Sequence, residues 1–445
     1  MILALGLFLR LHDYTQAPKL ADNQDELAWT WAGLSLLEDH SPTSWSYLLA
    51  YPHVFAIPEP DNGQLLPGVH PWLDHPPLFA LLMGGYAWLA GERQFQDVSD
   101  AVIRLPVIAL SLFTLLLTYV LGRRLLGPLP AIVGAALLAL VPATVLDSRE
   151  VESEAVLAPL LLLALIITHR LLRSESRRFE PLLLLFICAL APLFKVPGAS
   201  FGVIVGVVLA MHGRWRLAGL AVTMSCLGLL IYAWYGVLVD WRRFLAVVEF
   251  QASRHSGLSS AYEFISAPAF TDRIQLRDGW WLLGWLGLAA VAYQRRGRRA
   301  DLLLAWPVVA YAGVLMLLAD PSATQRFGWY RFAVYPLVYL AAAELVVTAV
   351  SRPTLVPVAL LLLLPGATAT LGSAPNGGAW NPPFLVSFAV VVLLVGACLA
   401  AGRPTLREES GKLSWSQLAV GGFVALVLVL DVVQSFRLAD VYQSL

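Results

Sequence analysis

The chain has 445 residues, 58% of them hydrophobic and 13% charged, with 30 basic and 30 acidic residues and a formal net charge of zero. Its mean hydropathy is +0.70. Soluble domains carry about 25% charged residues, so this composition excludes an ordinary soluble protein, and the zero net charge leaves no global field to attract nucleic acid.

The apolar residues come in runs, at 105–121, 130–146, 155–168, 217–239, 301–319, 333–350, 383–401 and 417–435. A helix needs roughly 20 apolar residues to cross a bilayer core. In lipid every backbone polar group must be paired internally, which leaves helices or a closed barrel. Uninterrupted runs without alternation reject the barrel. The expected fold class is an all-α polytopic membrane protein with about 12–13 transmembrane helices.

At the N-terminus, MILALGLFLR gives a short apolar run before Arg10. That is only ~14 Å of helix, a clipped first helix or one whose start is placed too far downstream. It lacks the basic n-region and cleavage site of a signal peptide. A polar stretch from about 12 to 103 follows, rich in acidic and aromatic residues. Within it Asp25 and Glu26 open a helix with Ala28, Trp29, Ala32, Leu36 and Leu37 as its apolar stripe. Acids in a first turn are favoured by the helix dipole, so a structural role competes with a chemical one here. Asp74 and His75 precede a proline pair in DHPPLF. The next run, 78–91, is too short to cross and reads as an interfacial or re-entrant segment.

Treating 78–91 as non-spanning puts Arg123–Arg124, Arg170 to Arg178, Arg214–Arg216, Arg295 to Arg299, Arg352 and Arg403 to Lys412 on one side. These short loops hold more than half of the 30 basic residues, and the positive-inside rule makes that side cytoplasmic. The external side then receives 20–103, 147–153, Lys195, 239–279, 320–331, 371–382 and the tail after Gln434.

Further along, VPATVLDSREVESEAV carries Asp147, Arg149, Glu150, Glu152 and Glu154 between two apolar runs. Glu150 and Glu154 are spaced i,i+4, so on a helix they would share a face. Glu154 sits at the mouth of a span, where an acid is costly unless it lines a cavity or pairs. Arg149 is the nearest partner in sequence. Lys195, in FKVPG, is either a snorkelling anchor or a phosphate ligand. Tyr330 and Arg331 stand in FGWYRF. An arginine there either anchors the interface or grips phosphate in two-pronged fashion. Cys188, Cys226 and Cys398 all lie in apolar runs and read as buried thiols, without disulfides or metal. No Walker, HExxH, GxSxG or GxGxxG motif is present. Nor are there repeats with matching broken helices, as in a secondary transporter.

In their order, these pieces resemble the GT-C fold membrane glycosyltransferases, in the branch of the protein O-mannosyltransferases and lipid A aminoarabinose transferases. The resemblance covers roughly 10–345. It rests on the Asp25–Glu26 pair, DHPPLF at 74–79, IRLPVIALSLFTLLLTYVLGRRLLG at 103–127, LVPATVLDSREVESEAV at 140–156, FKVPG at 194–198, YAWY at 232–235 and WYRFAVYPLVYL at 329–340. The chain departs from the family where it has Glu154 in place of a frequent Asp and His75 in place of a frequent Lys.

The resemblance implies a core at 1–350, with external loops at about 12–103 and 239–279, and a variable set of helices at 351–445. It implies a multi-pass cell-membrane enzyme with its active site on the external side. Such an enzyme moves sugar from a polyprenyl-phosphate-sugar donor to a hydroxyl of a protein, lipid or glycan acceptor. Asp25 is then the candidate general base, with Glu26, Asp74 and Glu154 in supporting catalytic roles. His75, Arg149, Lys195, Tyr330 and Arg331 become candidate substrate-binding residues. A divalent ion, Mg2+ or Mn2+, is an optional addition at Asp25 and Glu154 that no spacing demands. Alternatives are a lipid-linked oligosaccharide polymerase or ligase, a polyprenyl-lipid transporter or flippase, and a purely structural membrane subunit.

Overall fold

The computed structural model describes residues 1–19, 23–60, 63–252, 279–294, 299–318, 329–353 and 414–443, with short pieces at 264–265, 269–270, 275–276, 360–361 and 364. Most of 351–445, the RRGR run at 295–298, Cys398 and the larger part of 253–278 lie outside the described residues.

The described residues are overwhelmingly helical, and they form a polytopic membrane protein. Four helices are long and apolar enough to span a bilayer: α4 (Asp100–Leu125), α7 (Glu154–Leu172), α10 (Trp215–Ala252) and α15 (Trp415–Phe436). Eight shorter apolar helices accompany them among the described residues. They include α1 (Ile2–Leu11), α3 (Pro77–Ala90), α5 (Pro128–Leu140), α8 (Glu180–Phe194), α9 (Ser200–Met211), α11 (Gly279–Gln294), α12 (Arg299–Leu318) and α14 (Tyr335–Ser351). Proline stands in the first turn of α3, α5, α8 and α14, where its fixed φ suits a helix and its missing N–H costs nothing. α14 is deeply enclosed: every residue from Tyr335 to Ala343 is buried.

The clipped α1 is held by Arg10. This fully buried side chain donates to Ser111 Oγ (2.9 Å) and to the carbonyls of Leu138 (2.9 Å) and Ala139 (3.0 Å). The two carbonyls belong to the last turn of α5, where a helix has no internal donors left. Arg10 therefore caps α5 while anchoring α1.

At one end of the bundle, arginines meet the backs of helices. Arg170 pairs with Glu180 at 3.1 Å, and Arg214 donates to the Leu171 carbonyl at 2.6 Å. At the other end, the stretch between α1 and α4 folds into two helices and a small sheet. α2 (Asp25–Glu38) and α3 pack tightly along each other. Gly33 and Gly84 face one another there, and a Cβ on either would overlap the opposite backbone. At 14 residues, α3 is ~21 Å long, short of a span, as its sequence implies.

The all-α class holds for the bundle, and the stretch before α3 adds a small sheet to it. β1 (Ser44–Trp45), β2 (Phe55–Pro58) and β3 (Leu65–Val69) form an antiparallel sheet in the order β1-β3-β2, with Ile57 opposite Leu66 and Trp45 opposite Gly68. α2 also departs from its expected single stripe: residues Glu26 to Ser35 are buried all round, because sheet, α3 and the 147–152 turn enclose it. A second correction concerns Cys226. It is exposed, while Cys188 is buried. Only 28% of the apolar window of α10 is buried inside the protein, so apolar sequence there marks a face turned outward instead of core.

Candidate active site

The sheet end of the bundle holds an open cleft, ≈ 460 Å³ when the solvent it opens to is counted with it. Its walls come from α2, the 45–48 strand and loop, the 72–75 turn before α3, Lys195 after α8, Gln251 late in α10, and Tyr330 in the short helix α13 (Trp329–Phe332). Segments spread over some 300 residues of sequence thus meet at one place, and each belongs to the set that alternation and charge assign to one side of the membrane. Asp25, Asp74, His75, Lys195 and Tyr330 line the cavity; Glu26, Glu154, Arg149 and Arg331 are not among its lining residues.

Asp25 stands at the first position of α2 and faces the cavity. Glu26, one residue on, turns away from the cavity. It is fully buried and receives two bonds from Arg104, Nε at 3.1 Å and Nη2 at 2.9 Å, and one from the Val151 N–H at 3.1 Å. Burial raises the Glu26 carboxyl to about 6, against the pull of Arg104. Arg104 also donates to the carbonyls of Tyr14 (2.6 Å) and Pro18 (2.7 Å), tying the chain after α1 to the bundle.

Asp74 is clasped on both oxygens. Ser46 donates to one at 2.6 Å and Tyr51 to the other at 2.5 Å, while the Leu73 N–H donates to the Tyr51 hydroxyl at 2.8 Å. Burial and the neighbouring Asp74 push the Tyr51 phenol up, so it remains a donor. Tyr232 of α10 donates to the Leu73 carbonyl at 3.3 Å. His75 lies flat on Trp29, with centroids 4.6 Å apart at 17°, and meets Trp72 edge-on at 5.8 Å.

Lys195 donates to both oxygens of Glu154, at 2.8 and 2.9 Å, and lies 3.8 Å from Glu152. The Tyr330 ring caps its ammonium at 4.8 Å. Burial pulls the Lys195 ammonium down, but Glu154 and Glu152 more than reverse it, holding it above its ordinary range. Arg149 does not pair with Glu154. Its guanidinium donates to the carbonyls of Ala17 (2.7 Å), Leu9 (2.6 Å) and His12 (2.8 Å), closing the C-terminal turn of α1. Arg331 is buried over the faces of Trp281 (5.2 Å) and Phe264 (5.9 Å).

The turn between α6 (Pro142–Asp147) and α7 adds two carboxyls that the sequence shows only as a charge run. Glu150 and Glu152 are buried and share one donor, the Asn23 side-chain amide, at 3.2 and 3.3 Å. Burial first, then neighbouring acids, lift both well above the usual carboxylate range. Of the two residues expected to hold an optional divalent ion, Asp25 lines the cavity and Glu154 is committed to Lys195. Both oxygens of Glu154 are on Lys195, both of Asp74 are on hydroxyls, and no group of three or more His, Cys, Asp or Glu is arranged to hold a metal among the described residues. Sequence reasoning also missed Ser46, Tyr51 and Gln251. Only their tertiary placement gives them away, since each is an ordinary loop or helix residue in sequence.

Residues 74–236 match the family model described as dolichyl-phosphate-mannose-protein mannosyltransferase. No curated protein matches the chain. Among solved structures, ArnT from Cupriavidus metallidurans, bound to undecaprenyl phosphate, aligns over 99% of this chain and 77% of its own, with TM-score 0.55 and 12% identity. The chain has the GT-C fold. The oligosaccharyltransferase of Archaeoglobus fulgidus shares this GT-C architecture over 99% of this chain and 55% of its own, at TM-score 0.53 and 13% identity. Arabinosyltransferase EmbB from Mycobacterium smegmatis does so over 98% and 41%, at TM-score 0.51 and 15% identity. The chain therefore spans little more than half of the archaeal GT-C enzyme and less than half of EmbB.

Proposed function

We propose that the protein transfers a sugar from a polyprenyl-phosphate donor to an acceptor hydroxyl at the external face of the membrane. The observation that carries this reading is the convergence of Asp25, Lys195 and Tyr330 on one cavity at the end of a GT-C bundle. ArnT, whose fold this chain shares, is bound to undecaprenyl phosphate in its structure. A lipid carrier suits such a site, because its tail stays in the bilayer while phosphate and sugar reach the interface.

Asp25 is the general base in this proposal. It sits at the cavity wall on the first turn of a helix that Arg104, Val151 and the sheet hold rigid. Its task is to take the proton of the acceptor hydroxyl as that oxygen attacks the anomeric carbon, which requires an approach of ~2.6–3.2 Å. The leaving group is the lipid phosphate, which departs with its charge stabilised by nearby donors and needs no strong acid. Lys195 is the lining cation placed to do this, and it must divide its three N–H donors between Glu154 and the phosphate. Glu26, Arg104 and Arg149 are scaffold: each is spent on buried partners away from the cavity.

The test is Asp25→Asn in purified, membrane-inserted protein, assayed with radiolabelled polyprenyl-phosphate sugars. Loss of transfer by at least ~100-fold, with folding retained, is the expected result for a general base. Turnover within a few-fold of the wild type would remove Asp25 from that role.

A further inference from the structure

Asn23 is 3% exposed and lies just before α2. Every polar atom of its side chain is engaged. The Nδ2 group donates to Glu150 Oε2 (3.2 Å) and Glu152 Oε1 (3.3 Å), and Oδ1 accepts the backbone N–H of Asp25 (3.2 Å). The amide orientation is fixed by chemistry: flipped, its oxygen would face two carboxyls and its NH2 would face another N–H. One side chain thus joins the 150–152 turn to the residue that begins α2.

The two carboxyls it joins are an unusual load. Around Glu150 stand Asp147, Glu26, Glu152 and the Arg104 cation. Around Glu152 stand Lys195, Asp25 and Glu154. Glu154 has Lys195 and Glu26 has Arg104, whereas Glu150 has no ion pair within 4 Å among the described residues. Its Oε1 is fully buried with no hydrogen bond. Two buried carboxyls on one neutral donor do not both ionise readily. Burial and neighbouring acids favour the protonated form of both, against the pull of Arg104 on Glu150 and of Lys195, 3.8 Å away, on Glu152, and the charge of Glu152 is coupled to that of Asp25.

We propose that Asn23 is a positioning residue for Asp25: it fixes the N–H that begins α2 and, through the same amide, the charge of the Glu150–Glu152 pair beside the base. This rests on the reading of Asp25 as general base. A structural tie alone would hold the turn in place. The inferred role adds that the pH at which the enzyme loses its base is set in part by this amide.

Two substitutions separate these roles, because both keep an oxygen able to accept the Asp25 N–H. Asn23→Ser replaces the two amide N–H donors by a single hydroxyl on a shorter side chain, so at least one carboxyl loses its donor, which disfavours its ionised form. Asp25 then faces less negative charge, and the acid limb of kcat/KM against pH moves down. Asn23→Asp replaces donors by a third carboxyl in the cluster, and the limb moves up. Each shift is expected to be about half a pH unit or more, within the range that a single neighbouring charge produces. Donor KM and turnover at the pH optimum should each stay within about threefold, because the tie to the Asp25 N–H is kept and the base is not displaced.

The assay is lipid-donor transfer in detergent-solubilised, full-length protein from about pH 5 to 9, with unfolding temperature recorded for each variant. If one variant fails to fold, the other decides by its own direction of shift. Limbs unmoved in a folded variant, or both moved the same way, overturn the inference. An inactive Asp25→Asn with unmoved limbs in the Asn23 variants would discard the role of Asn23 and leave the base standing. A fully active Asp25→Asn would discard both.

Discussion

Two buried ion pairs flank the first turn of α2, and they do different work. Glu26 with Arg104 and Glu154 with Lys195 are alike in chemistry: each is a carboxylate with two short bonds from one cation. Arg104 spends its remaining donors on two backbone carbonyls, and its pair has no access to the cavity. Lys195 has a wall of the cavity at its back and an aromatic ring over its ammonium. The first pair is closed and locks the polar stretch onto the bundle. The second is open on one side and has a donor to lend. Exposure of one partner to a cavity, more than the pairing itself, separates scaffold from machinery.

Breaking the closed pair should have the largest effect. Arg104→Ala leaves Glu26 buried without a cation and strands the carbonyls of Tyr14 and Pro18. Removing one partner of a buried pair costs about 3–5 kcal/mol. The expected outcome is little folded protein in size-exclusion chromatography. A well-folded, active Arg104→Ala would show that the pair is not what fixes α2.

Lys195→Ala should act on the reaction more than on the fold. Water from the cavity can reach the vacated space. The Tyr311 hydroxyl, buried and without a hydrogen bond, lies in the electrostatic neighbourhood of Glu154. Losing a charged hydrogen bond to the departing phosphate predicts a drop in transfer of roughly 10- to 100-fold. The unfolding temperature should fall less than in Arg104→Ala. A double-mutant cycle with Glu154→Gln sharpens the contrast: if the pair were only structural, the two substitutions would couple in stability and not in turnover.

These contrasts show what the sequence could carry. Its apolar runs announce the spanning helices directly, because bilayer thickness sets their length. The order of charged loops also sorts the segments that later meet at the cavity. Which of Asp25 and Glu26 faces that cavity was not legible. Adjacent helix residues point ~100° apart, but the direction was decided by Arg104, 78 positions away. Arg149 misled for the same reason. It is close to Glu154 in sequence, yet α7 begins at Glu154 and aims it at Lys195, while the preceding turn sends Arg149 to α1. The small sheet was hidden by Pro58, Pro67 and Gly68 within its strands, residues that argue against strands in a pattern reading.

The smallest effect probes the third acid, which has neither a cation nor a cavity wall. Glu26 (to about 6), Glu150 and Glu152 all have raised carboxyls in the folded protein. A raised carboxyl binds its proton more tightly folded than unfolded. Its contribution to stability is therefore fully present below the unfolded value and is lost as pH rises through the folded one. As pH rises above the ordinary carboxylate range, through about 6 for Glu26 and then through the raised values of Glu150 and Glu152, these groups should make the wild type progressively less stable. Glu150→Gln keeps an oxygen for the Asn23 amide and cannot ionise, so it removes one of the three contributions. Replacing a poorly compensated buried charge by a neutral isostere is often neutral or stabilising. The expected gain in unfolding temperature is about 2 °C at an alkaline pH, shrinking toward zero at an acidic one, measured in detergent micelles. A constant offset at both pH values would mean that the gain comes from packing, and that Glu150 keeps the same charge throughout.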